Sequence, residues 1–92
     1  MKKILLRADK IKDLVVGDCL MEMNRFTKKY RIYRIIQKDS DGMGGRAEIV
    51  SSNYPTKGPH TVWMDFKAHS HHKNSAWITY YLPIGKLLYA KN

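Results

Sequence analysis

Apolar and polar residues alternate along most of this chain with a period of two, and turn-forming residues interrupt the alternation at short intervals. That period sends successive side chains to opposite faces of a strand. The densest stretch is residues 28–38, with two Tyr, three Ile, five cations and no acid. β-branched and aromatic side chains suit a pleated, half-buried surface, so the pattern predicts a strand here. Tyr30, Ile32, Arg34 and Ile36 fall on one side; Arg31, Tyr33, Ile35 and Gln37 fall on the other. Neither side is purely apolar, and adjacent Ile35 and Ile36 put bulk on both. Such a pattern predicts a central strand, or one with a bulge near its end.

The same reading orders the rest of the chain. Ile4-Leu5-Leu6 is a short apolar run between bases, fit for an edge strand. Asp9 stands at a cap position before Ile11, Leu14 and Val15, whose spacing predicts one or two helical turns ending at Gly17. Residues 18–24 predict a strand with Cys19, Met21 and Met23 on one face and Glu22 and Asn24 on the other. Residues 24–27 then turn the chain. The Gly-rich stretch at 39–45 is the strongest breaker and predicts a hairpin loop. A strand over 46–51 has Ala47 and Ile49 facing one way, and a Pro-containing loop comes next at 53–59. Over 61–67, Val62, Met64 and Phe66 alternate inward against Trp63, Asp65 and Lys67. The polar, His-rich stretch 68–75 predicts a third loop or strand tip. Over 76–82, Ala76, Ile78, Tyr80 and Leu82 are expected inward, with Trp77, Thr79 and Tyr81 outward. Pro83-Ile84-Gly85 turns the chain toward a last short strand at Leu87-Leu88-Tyr89.

Several short strands with regular turn signals predict a mainly β fold. The expected form is a small antiparallel barrel or strongly bent sheet with one short N-terminal helical turn. Asp13-Leu14-Val15-Val16-Gly17-Asp18, leading into a strand, resembles the opening of many SH3-like and PUA-like small barrels. Ninety-two residues without a linker or repeat read as a single domain, 1–92, which buries about two-thirds of its unfolded surface.

Charge changes the picture most. Seventeen basic residues against eight acidic give a net charge of +9, and eleven of the bases lie within residues 1–38. A field of that sign attracts nucleic acid, anionic membrane or an acidic protein surface. No apolar run approaches the roughly 18 residues that span a bilayer, and three apolar residues after the basic start are too few for a signal peptide. The single cysteine, Cys19, permits no internal disulfide and reads as a small core residue, so a cytoplasmic protein is expected.

With Val62, Met64, Phe66, Ile78, Tyr80 and Leu82 inward, Trp63, Trp77 and Tyr81 would stand outward near the bases. Flat aromatic rings beside Lys and Arg suit single-stranded nucleic acid, whose bases stack while cations hold its phosphates. The candidate binding residues are Lys28, Lys29, Arg31, Tyr33, Arg34, Arg46, Trp63, Lys67, Trp77 and Tyr81. The alternative is that terminal segments bury the two Trp and leave the charges solvated. His60, His69, His71 and His72 lack the paired, spaced partners of a structural zinc site, so no metal and no cofactor is expected. Asp39-x-Asp41-Gly42 lacks the later ligands of a calcium loop, and the glycines are not followed by a P-loop's Lys-Ser/Thr.

Three readings fit this pattern. The leading one is a non-enzymatic nucleic-acid-binding module, with RNA or single strands favoured over duplex DNA because no recognition helix is visible. The second is a small phage-type inhibitor, antitoxin or anti-defence protein docking on a nucleic-acid-handling enzyme. The third is a metal-free ribonuclease with a histidine as general base and Lys or Arg stabilising the developing charge.

Overall fold

A computed structural model describes residues 3–72 and 74–85. Among these residues, six strands form one antiparallel sheet: β1 Ile4–Leu5, β2 Cys19–Asn24, β3 Tyr30–Lys38, β4 Gly44–Ser52, β5 Thr61–Asp65 and β6 Trp77–Leu82. Their order is β1-β6-β2-β3-β4-β5, so β3 is central, paired to β2 on one edge and β4 on the other. The expected strand at Leu87-Leu88-Tyr89 lies outside the described residues.

Among the described residues the sheet is not closed into a barrel: β1 and β5 stand at its two edges. The physical reason lies in the helical segment next to each edge strand. β1 is only two residues long and leads into a 3₁₀ helix, Ala8–Asp13; β5 runs straight into a one-turn helix, α1 Phe66–His69. Both segments supply side chains to the sheet's inner face. Ile11, Leu14 and Phe66 join Leu20, Tyr33, Ile35, Ala47, Met64 and Tyr81 in one core. Helices thus cover the face that a closed barrel would cover with its own opposite wall. Phe66 is fully buried, and truncating it to Ala would cost about 3–5 kcal/mol.

Local signals explain the joints. Gly17 has φ 97°, a left-handed conformation that favours glycine. It brings the Asp18 carboxyl back to accept from Val15 N at 3.0 Å, and from Gly85 N at 2.8 Å. In the β2–β3 hairpin, Asn24 Oδ1 accepts from the N–H groups of Phe26 and Thr27 at 3.0 and 3.1 Å. The expected irregularity in β3 is present: pairing with β4 shifts register between Ile35 and Gln37, and again between Ile32 and Tyr33. Gly45 is required beside the Ile35–Gln37 shift, since a Cβ there would overlap the Gln37 carbonyl.

Four expectations need correction. β4 begins at Gly44, so the loop expected over 39–45 is shorter and its last two glycines pair within the sheet. The N-terminal helical turn is 3₁₀ and ends at Asp13, its following Leu14 N–H bonding to Ile11 O at 3.1 Å. The strand expected over 61–67 stops at Asp65, whose side chain caps α1 by accepting from Lys67 N and Ala68 N. The phase of β6 is opposite to that expected. Tyr81 and Thr79 face the core, while Ile78, Tyr80 and Leu82 lie half-buried on the outer face. Pairing decides this: Tyr81 stands opposite Leu20, and Thr79 opposite Glu22, on the inner-facing positions of β2. Tyr81 is therefore a core residue and not an outward stacking platform.

Candidate nucleic-acid interface

Register builds a row of polar positions across the inner face, beyond the end of the core. Thr79 on β6 pairs with Glu22 on β2, Glu22 with Arg31 on β3, and Arg31 with Ser52 on β4. One step outward, Trp77 stands opposite Asn24. The loop after β4 brings Tyr54 over this end of the sheet, and α1 brings His69. Together Glu22, Arg31, Tyr33, Tyr54, His69 and Trp77 line a cleft of about 270 Å³.

Each side chain has an identifiable support. Asn53 clamps the start of β3 by accepting from Tyr30 N at 2.7 Å and donating to Lys28 O at 3.0 Å. That clamp places the neighbouring Tyr54 ring 5.3 Å from the Arg31 guanidinium and 6.0 Å from the Lys29 ammonium. Arg31 Nη1 also donates to the Tyr33 hydroxyl at 3.2 Å, and its guanidinium carbon lies 5.9 Å from the Tyr33 ring. These ring distances are within cation–π range. Arg31 Nε is buried with no hydrogen-bond partner among the described residues. α1 is pinned at its start by Asp65 and at its end by Ser70 Oγ, which donates to Lys67 O at 2.7 Å. It presents His69 Nδ1 to Glu22 Oε1 at 3.0 Å.

These contacts shift the titrating groups. His69 is raised above the ordinary histidine value, first by its hydrogen bond to Glu22; burial opposes, and the charges of Glu22 and Asp65 add. Tyr33 is raised chiefly by burial, against the hydrogen bond from Arg31. Arg31 is raised first by the Tyr33 hydrogen bond, so the guanidinium stays charged. Cys19, expected in the core, instead lies half-buried on the outer face opposite Arg34, and burial still pushes its thiol up.

The ten residues expected to bind divide into separate groups. Arg31, Tyr33 and Trp77 line the cleft, with Lys29 at the Tyr54 ring and Lys28 exposed in the adjoining turn at φ 62°. Arg34, Arg46 and Trp63 sit on the opposite face. There Arg34 Nε donates to Glu48 at 2.8 Å, Trp63 Nε1 donates to Asp39 at 2.8 Å, and Arg46 stands opposite Trp63. Lys67 is exposed on α1, and Tyr81 is in the core. The two Trp residues thus do not share a surface.

Glu22, Tyr54 and His69 are cleft residues that periodicity and charge do not single out as binders. Glu22 carries a signal, as the one acid between Cys19 and Lys38. His69 carries none that sets it apart from the other histidines, because its partner lies 47 residues away. Among the described residues, no group of three or more His, Cys, Asp or Glu could hold a metal ion. No helix among them is long and apolar enough to cross a membrane. The sequence matches no protein-family model, and comparison with curated proteins and with solved structures gave no match.

Proposed function

We propose that the protein binds single-stranded nucleic acid, RNA in preference, through the inner-face cleft, as a cytoplasmic protein. The observation that carries this is Arg31: its guanidinium lies beside the rings of Tyr33 and Tyr54, in a cleft that Trp77 also lines. A concave site with aromatic walls takes a splayed-out base, which a single strand offers and a duplex does not. The guanidinium of Arg31 and the ammonium of Lys29 beside it supply donors for the adjoining phosphate. The net charge of +9 adds long-range attraction.

The test is a titration of labelled single-stranded RNA at several salt concentrations. Each lost phosphate contact reduces the log–log salt slope by about 0.7 to 1. Arg31→Ala and Lys29→Ala are expected to weaken binding and flatten that slope. Arg34→Ala, on the other face and held by Glu48, is expected to do neither. No binding at low salt, or equal curves for all three variants, would refute the reading.

A second reading, an inhibitor or antitoxin of phage type that docks on a nucleic-acid-handling enzyme, is supported by the outer face. Met21, Met23, Ile32, Ile78 and Tyr80 are half-exposed there, and Phe26 at the hairpin tip is 77% exposed. Capture of one protein that persists after nuclease treatment would favour it.

A further inference from the structure

The cleft holds more than binding requires. A stacking site needs rings and cations; it does not need a carboxylate directed at a histidine. Glu22 is in fact unfavourable for binding a polyanion, because its charge faces the same cleft as the phosphate. Its side chain is 17% exposed, and that of His69 33%. Placing an acid there makes chemical sense if the histidine is to be held in one tautomer, with one ring nitrogen free to work. A bond from His69 Nδ1–H to the Glu22 carboxylate leaves Nε2 as the basic nitrogen. The third component, a fixed cation for developing charge, is Arg31, directly opposite Glu22 in the sheet register.

We infer that this cleft is a metal-independent ribonucleolytic site, with His69 as general base, Glu22 as its positioning residue and Arg31 as the phosphate-holding cation. The inference rests on the binding reading above and extends it to a reaction. His69 Nε2 takes the proton of a ribose 2′-hydroxyl as the 2′-oxygen forms a bond to the adjacent phosphorus. The bond from phosphorus to the 5′-oxygen breaks, that oxygen takes a proton from solvent water, and His69 then gives its proton to the hydroxide left behind. The products are a 2′,3′-cyclic phosphate and a 5′-hydroxyl. Charge that accumulates on the non-bridging oxygens is met by Arg31, pre-set by Tyr33 and Tyr54, so little reorganisation accompanies the step. Trp77 and Tyr54 hold a flanking base. The substrate class is single-stranded RNA, since DNA lacks the nucleophile.

The pH dependence is set by the groups around His69: Glu22 from β2, Asp65 from the cap of its own helix, and Arg31 and Tyr33 from β3. The carboxylates keep the imidazole protonated to higher pH than usual, so cleavage rises with pH through that raised value. Removing Glu22 lowers the base's value and moves the rising limb to lower pH.

The experiment is single-turnover cleavage of a labelled single-stranded RNA with saturating protein and a chelator present, with binding followed in parallel. Wild type is expected to yield 2′,3′-cyclic phosphate ends. His69→Gln is expected to lose about 10²–10⁴-fold in rate, the range of general-base catalysis, read at saturating protein so that a change in affinity does not enter. Glu22→Gln is expected to lower the rate and shift the pH limb downward, a change that a merely structural pair would not produce. An RNA with a single 2′-deoxy nucleotide at the cleaved position is expected to bind and resist cutting, a control independent of variant folding. Wild type that binds but does not cut overturns the catalytic inference and leaves the binding reading standing. Cleavage that survives His69→Gln overturns it as well. Wild type that neither binds nor cuts removes both.

Discussion

Asp18→Ala offers the most direct test of how the chain is held together. Asp18 is fully buried, and its two carboxyl oxygens accept from Val15 N at 3.0 Å and Gly85 N at 2.8 Å. One side chain therefore ties the end of the 3₁₀ segment, the start of β2 and the turn after β6. Its backbone is also bonded, with Ile35 N donating to Asp18 O at 2.9 Å. Truncation leaves two amide N–H groups without this partner, that of Gly85 buried and that of Val15 half-buried, at about 1–3 kcal/mol each. Removing a buried carboxyl relieves part of that by ending its own desolvation. A net loss of about 3 kcal/mol is expected, and for a chain of this size that lowers Tm by roughly 12 to 24 °C. Asp18→Asn keeps one acceptor oxygen but turns an NH₂ toward the other N–H, so its loss is expected to be of the same order. Thermal unfolding followed by circular dichroism gives the shift, and amide exchange identifies the orphaned groups: Val15 and Gly85 should lose protection first. Lys12→Ala, an exposed change on the same segment, serves as the control. A Tm for Asp18→Ala equal to that of this control would refute the reasoning.

Two further outcomes are expected. Trp77→Ala should weaken RNA binding by about 1–3 kcal/mol for one lost stack, whereas Trp63→Ala, on the opposite face and bonded to Asp39, should leave affinity unchanged; equal losses would show that the cleft is not the stacking site. Because His69 is raised in the folded protein by Glu22, the pair's contribution to stability is complete below the unfolded histidine value of about 6.5 and is lost as pH rises through the folded value. The Tm advantage of wild type over His69→Gln should shrink as pH rises above about 6.5 through the raised folded value, remaining small throughout for a partly exposed pair; an advantage that does not change with pH would mean that the pair does not form.

Much of the architecture comes from local order in the sequence. Strand alternation, the glycine breaker at 39–45, the bulge at Ile35 and Ile36, and the Gly17-Asp18 turn all act within a few residues, so their physics is complete in a short window. Arg31 and Tyr33 on one face, with Arg34 on the other, also come from period two alone. Tertiary structure decided the phase of β6 and the identity of the site. Ile78, Tyr80 and Leu82 are as apolar as Tyr81 and more so than Thr79, so neither face of that strand is specified by hydropathy. Pairing with β2 made the choice, through Leu20 and Glu22. Among the described residues, the open sheet in place of a barrel goes with two short helices on the inner face, a packing choice that no strand pattern records. The His69–Glu22 pair joins residues 47 apart, and Tyr54 reaches Arg31 only because Asn53 clamps the loop after β4 to the start of β3. Periodicity reports which way a side chain points; only the assembled sheet decides which side chains meet there.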